Sequence, residues 1–295
     1  MKNIDNITEQ SNSISKKIHT KSIFDIIKIM NNEDAQIALS VKPILPEIEK
    51  LILKILAKVK SGGRLFYIGC GTSGRLGVLD ASECPPTFST SPDLIQGIIA
   101  GGKSALHRSV EGAEDIEKEG RKVIENNKIN SSDVIVGISA SGSAPFVLGA
   151  LKEGSKNDIE TALITFNPIE KKRFINHLIS IVVGPEIISG STRLKAGTAT
   201  KMVLNMITTS LMVKLNKTYE NFMVDLKVSN KKLLHRALHI LNEITGLDKS
   251  KCKHFLNLAN GEVKSAIVMI KLECDYNKAV YELKKNEGSL HKIID

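Results

Sequence analysis

Arg64-Leu65-Phe66-Tyr67-Ile68 runs straight into Gly69-Cys70-Gly71-Thr72-Ser73-Gly74-Arg75, and Asp80-Ala81-Ser82-Glu83-Cys84-Pro85-Pro86 follows just behind. The first five residues are β-formers, apolar enough for a fully buried strand. The glycines then turn the chain tightly and let backbone approach a ligand. Thr72, Ser73 and Arg75 offer hydroxyls, amide N–H groups and a guanidinium where a helix should begin, which makes an anion site with phosphate as the usual anion. The spacing fits neither the Walker loop nor the dinucleotide fingerprint, and the same residues would also serve a plain turn with a capped helix. Glu83 lies well inside that helix, beside a Cys-Pro-Pro expected to end it because proline cannot donate the helix bond. A carboxylate at such a break, near a phosphate cradle, is placed for acid–base chemistry.

Outward from this stretch, short β-rich runs alternate with helical ones. Further strands are predicted at Leu94–Ile99, Asp133–Ile138, Thr161–Phe166 and Leu178–Val183, with helices near 113–126, 144–153 and 194–216. Such alternation predicts an α/β fold with a parallel five-stranded sheet covered by helices on both faces. Ligands bind beyond the carboxyl ends of the strands in such sheets, so the turns at 70–75, 100–103, 139–143 and 184–195 share one rim. Upstream, Ile48, Leu51, Ile52, Ile55, Leu56 and Val59 mark an amphipathic helix that Ser61-Gly62-Gly63 stops. Residues 22–42 read as short helices, and residues 1 to about 20 as an extended or loosely ordered polar arm. After about residue 220 only short helices are predicted. The chain thus divides into N-terminal arm and helices (1–55), a parallel-sheet domain (56–220) and a small C-terminal helical subdomain (221–295).

Composition narrows the function classes. The net charge is +9 over 295 residues, but the lysines are scattered, and aromatics at 4% leave few stacking platforms for nucleic acid. The basic balance fits an anionic small molecule or a lysine-rich background. Cys70, Cys84, Cys252 and Cys274 show no C-x-x-C pairing, and no histidine spacing marks a metal site; only His107 falls near the rim. Reduced cysteines, a polar N-terminus without an apolar signal core and no run of about 20 apolar residues predict a soluble cytoplasmic protein, with no nucleic-acid or membrane partner.

The third predicted strand ends in Ser139-Ala140-Ser141-Gly142-Ser143, with Pro145 as the first helical residue. Two hydroxyl-rich loops at helix starts on one rim predict a phosphate held by Ser73, Ser139 and Ser141, although serines also simply cap helices. Glu111-Gly112-Ala113-Glu114-Asp115 opens the next predicted helix, where acidic residues suit the dipole. Ser191, Thr192, Arg193 and Lys195, after the fifth strand, would contact an anionic or hydroxyl-rich ligand, or cap and charge the long helix behind them.

The paired loops resemble those of the sugar isomerase (SIS) superfamily of phosphosugar-binding domains. Gly71–Gly77, Asp80–Phe88, Val110–Asp115, Gly190–Ala199 and Asn221–Leu226 more specifically resemble the N-acetylmuramic acid 6-phosphate etherase family, with the likeness running from about Thr8 to the C-terminus. The resemblance implies cleavage of a lactyl ether to N-acetylglucosamine 6-phosphate and D-lactate. It also implies a cofactor-free, metal-free cytoplasmic homodimer that recycles bacterial cell-wall sugars. It carries catalytic roles to Glu83, the acid that protonates the departing oxygen, and to Glu114, the partner carboxylate. Thr72, Ser73, Ser139, Ser141, Ser191, Arg193 and Lys195 would bind substrate and phosphate. Burial at the proline break would keep Glu83 protonated near neutral pH.

The chain departs from the family pattern at Ser11, where arginine is usual, at Ser143-Ala144, where Arg-Thr is usual, and at Cys70 in place of alanine. Two other functions fit the same scaffold. An aldose–ketose isomerase also needs a base for carbon 2, and a non-catalytic phosphosugar sensor would resemble the glucokinase regulatory protein. Such regulators resemble two fused sugar-binding halves, whereas this chain has one half and keeps both glutamates.

Overall fold

A computed structural model describes residues 6–226, 228 and 230–295; the first five residues of the predicted arm lie outside them. The chain forms two compact units, the first taking residues up to Ser82 and Pro92–Thr208, the second Glu83–Ser91 and Thr209–Asp295.

Along the chain α1 (Ile23–Asp34), α2 (Ile37–Val41) and α3 (Leu45–Lys60) lead into β1 (Leu65–Gly69) and α4 (Gly71–Phe88). β2 (Ile95–Ile99), α5 (Glu117–Asn126), β3 (Val134–Ile138), α6 (Pro145–Lys156), β4 (Glu160–Thr165), β5 (His177–Ser180) and α7 (Lys195–Lys214) follow. The sheet is parallel throughout, in the order β2-β1-β3-β4-β5. Every residue of β1 and β3 is buried, as continuous apolar strands between two helical layers must be. Phe66, Ile68, Ile135 and Leu163 pack with Val123, Val147 and Leu151 in one core cluster. β5 stops earlier than its apolar run predicts. Thr165, the last residue of β4, pairs with Ser180 and accepts one more bond from the Ile181 amide, after which no partner strand remains.

α4 lies tight against the sheet. A Cβ on Gly97 of β2 would come 2.4 Å from Val78 Cα. Gly97→Ala is therefore expected to destabilise the first unit by about 1–3 kcal/mol, since backbone must shift to admit the methyl. Denaturant unfolding would measure this, with the midpoint lowered at unchanged slope. Asp80, inside α4, accepts from Thr208 Oγ1 of α7 at 3.2 Å, and burial pushes its carboxyl up to about 6.

The prolines do not end α4 as predicted. Pro85 and Pro86 sit inside its last turn. Each removes one ladder donor, but the turn still closes through the Ser89 amide on the Pro85 carbonyl (2.9 Å), and Ser89, at φ +49°, turns the chain away in the left-handed conformation. The predicted loose arm is also ordered from Asn6 onward. Thr8, Asn12 and Ser15 are buried, held by hydrogen bonds rather than by an apolar stripe.

The second unit adds α8 (Lys231–Thr245), α9 (Lys249–Leu258), α10 (Val263–Lys271), α11 (Tyr276–Lys285) and α12 (His291–Ile294) around Leu226, Leu241, Leu256, Ile267 and Val268. Asn230, Asp248 and Asp275 cap the starts of α8, α9 and α11 with side-chain oxygens. Asp225, from the Asn221–Leu226 motif, is paired with Lys217 (2.6 Å) and Lys264 (2.5 Å), and the Lys264 ammonium also donates to the Asn216 carbonyl. Burial lowers the Lys264 pKa, and Asp225 opposes that shift. Within the second unit this motif is therefore part of a half-buried ion cluster.

Candidate active site

Strand order locates the site. β1 continues to β2 on one side, while β3 pairs on the other, so the direction of winding reverses between β1 and β3. A crevice opens beyond the carboxyl ends of two such strands. Register sets Gly69 opposite Ile138, which brings Cys70-Gly71 level with Ser139-Ala140. The two hydroxyl-rich loops predicted to share a rim are thus neighbours.

Gly71 adopts φ +50° and starts α4, so the amides of the first helical turn point outward without intrahelical partners. On the opposite loop, buried Ser139 accepts the Ala144 amide at 3.3 Å, and Ser141 Oγ lies 2.7 Å from Ser143 Oγ. Ser139 therefore caps the approach to α6 as well as facing the crevice, so the capping and ligand readings of these serines are compatible.

The crevice holds a cavity of about 270 Å³ lined by Thr72, Ser73, Ser139, Ser141 and Glu114, and also by Thr8, Glu9, Gly190 and Thr192. No lysine or arginine is among its lining residues. An anion here is met by hydroxyls, amides and the dipole of α4 rather than by a cation. A second cavity of about 120 Å³ shares Cys70, Gly71 and Glu114 with the first and adds Arg75, Ser109 and Glu111. The Arg75 guanidinium donates to the carbonyls of Leu106 (3.3 Å) and Arg108 (3.4 Å).

Glu114 is the carboxylate that both cavities share. It does not open a helix as predicted. It sits in an isolated 3-10 turn, Ala113–Asp115, and Ile116, at ψ 85°, breaks the chain before α5 begins at Glu117. Glu117 takes the dipole-facing role and pairs with Arg121 and Lys152. Glu114 is exposed, and among the described residues its carboxylate has no hydrogen bond or ion pair. Burial, with the charges of Glu114 and Asp115, pushes the Cys70 thiol up to about 12, so it stays protonated beside the crevice.

The segment after β5 behaves differently from expectation. Thr192 reaches the cavity; Ser191, Arg193 and Lys195 are not among its lining residues. Arg193 is exposed, while Lys195 is buried with its ammonium 2.7 Å from Glu33 Oε2. Glu186 takes the start of α7, accepting from the amides of Lys195 (2.9 Å) and Ala196 (3.0 Å). An internal carboxylate thus fills the helix-start position that an anionic ligand would use, although burial raises its pKa against those two bonds.

Glu83 belongs to the second unit and lines neither of these cavities. It is exposed, which corrects the expectation of burial at a helix break: α4 runs past it unbroken. Sequence reasoning missed Thr8, Glu9, Glu33 and Glu186. All four act through hydrogen bonds or pocket lining at positions that carry no hydrophobic period, so only their residue types were visible.

Comparison with known proteins is consistent with this geometry. Residues 47–155 match the family model of the glucokinase regulatory protein N-terminal SIS domain, and residues 220–266 that of the C-terminal lid domain of glucokinase regulatory protein. A Bacteroides fragilis structure described as a candidate phosphosugar isomerase involved in capsule formation superposes with a TM-score of 0.51 at 17% identity, covering 68% of this chain and 94% of that one, a likeness of fold. N-acetylmuramic acid 6-phosphate etherase 1 of Bacillus licheniformis is 48% identical over 97% of this chain and 95% of its own. The N-acetylmuramic acid 6-phosphate etherase of Clostridium acetobutylicum is 49% identical over the same shares. With such identity across nearly its whole length, the chain belongs to the N-acetylmuramic acid 6-phosphate etherase family.

Proposed function

We propose that this chain cleaves the D-lactyl ether of N-acetylmuramic acid 6-phosphate with water, giving N-acetylglucosamine 6-phosphate and D-lactate for cell-wall sugar recycling. The observation that carries the reading is an unpaired carboxylate, Glu114, opening into a cavity walled by the hydroxyls of Thr72, Ser73, Ser139 and Ser141. The hydroxyls and the α4 amides hold the phosphate. In the open-chain sugar the aldehyde acidifies the proton on carbon 2, and the ether oxygen sits on carbon 3. Glu114 takes the carbon 2 proton, Glu83 protonates the departing lactyl oxygen, and an unsaturated aldehyde forms. Water then adds at carbon 3 and a proton returns to carbon 2, which balances the reaction. Two carboxyls in opposite protonation states suffice for these steps, and the scheme uses no cofactor or metal.

In this reading the enzyme works in the cytoplasm as a homodimer. Among the described residues no helix is long and apolar enough to cross a membrane. Ile23, Phe24 and Ile27 stand 80%, 69% and 53% exposed on α1, an apolar face that supports contact with a second copy. Incubation with N-acetylmuramic acid 6-phosphate should release D-lactate. An isomer of the sugar without free lactate would point to the aldose–ketose reaction, and binding without any product to a sensor.

A further inference from the structure

The arm ahead of α1 brings to the crevice a carboxylate that the scheme above leaves unused. Thr8 is fully buried; its amide donates to Asn167 Oδ1 (3.3 Å), and Asn167 Nδ2 donates to Thr8 Oγ1 (3.1 Å) and to the Ala140 carbonyl (2.9 Å). The arm is thereby tied to the phosphate loop itself. On the other side the Gly190 amide donates to the Thr8 carbonyl (3.0 Å), and Ser189 Oγ donates to the Glu9 carbonyl (2.7 Å). Glu9 is clamped by its backbone between two rim loops.

Its side chain is left for something else. Glu9 lines the larger cavity, and among the described residues its carboxylate has no hydrogen bond or ion pair. Gly190 makes room for it, since a Cβ there would stand 2.8 Å from Glu9 Oε2. Glu9 is also absent from the smaller cavity that Glu114 shares, so the two carboxylates mark different walls of the crevice. An ionised carboxylate only accepts hydrogen bonds. A phosphate repels it, so the group it serves must be a neutral donor on the same ligand.

We propose that Glu9 is a specificity residue that accepts a hydrogen bond from a hydroxyl or the acetamido N–H of the bound phosphosugar, fixing the sugar while the serine loops fix the phosphate. The proposal rests on the phosphosugar reading of the crevice but not on ether cleavage.

Charge makes the sign of the effect diagnostic. Removing a negative group from a site for a dianion should by itself tighten binding, whereas removing an acceptor from a sugar donor should weaken it. Glu9→Ala, titrated by calorimetry, is expected to lose about ten-fold to a hundred-fold in affinity for N-acetylglucosamine 6-phosphate, the scale of a hydrogen bond to a charged group. Inorganic phosphate should bind the variant as well as, or better than, the unaltered protein. In turnover the loss should appear in KM rather than kcat. Unchanged or tighter binding of the phosphosugar would overturn the proposal. So would a parallel loss for both ligands, which would make Glu9 a support of the pocket's shape. An unaltered protein that binds the phosphosugar but frees no lactate would fell the etherase reading alone. One that frees lactate while Glu9→Ala binds normally would fell this proposal alone.

Discussion

Glu114→Gln is expected to lower kcat for D-lactate release by about a hundred-fold to ten-thousand-fold, the usual scale for losing a general base. KM should change little, because the hydroxyls and helix amides proposed to hold the phosphate are untouched. Glutamine keeps the volume and one acceptor oxygen, and the side chain sits exposed in a 3-10 turn with no partner to strand, so folding should survive. The variant should also lose solvent exchange at carbon 2 of N-acetylmuramic acid 6-phosphate, because proton removal is the step proposed for Glu114. A variant that still exchanges this proton at the normal rate would assign the base to another group.

Glu83→Gln should cost kcat on a similar scale, about a hundred-fold to ten-thousand-fold, but through the other half of the reaction. The amide cannot protonate the departing oxygen, so lactate release slows while exchange at carbon 2 continues. The pH–rate profile separates the roles further. A general acid must be protonated to work, so activity should fall as pH rises through its pKa in the enzyme–substrate complex, and this basic limb should vanish from the residual activity of Glu83→Gln. A fully active Glu83→Gln enzyme would remove Glu83 from the mechanism.

Sequence pattern made the sheet legible: β1 and β3 are continuous apolar runs, β4 is a buried strand with threonines at Thr161 and Thr165, and each forms within a residue or so of its predicted place. The carboxyl-end rule then put the Cys70–Ser73 and Ser139–Ser141 loops on one rim, and the pairing of β1 with β3 makes them neighbours. Local rules failed where partners distant in sequence decide the outcome. Pro85 and Pro86 end most helices, but here the last turn closes at Ser89. Lys195 looked like a ligand group beside Arg193, yet Glu33, 162 positions earlier, holds it. The arm from Asn6 to Ser15 looked loose because it carries no apolar stripe; Asn167, Pro185, Ile187 and Ser189 order it through polar contacts. The Glu9 carboxylate became visible as a pocket group only through that order.

The central claim is that the ether breaks by elimination across carbons 2 and 3. Turnover of N-acetylmuramic acid 6-phosphate in deuterated water, with the product read by mass and by proton resonance, tests it most directly. The account predicts D-lactate released together with N-acetylglucosamine 6-phosphate carrying one deuterium at carbon 2. Lactate released in full with the original proton retained at carbon 2 would contradict it and point to direct displacement at carbon 3.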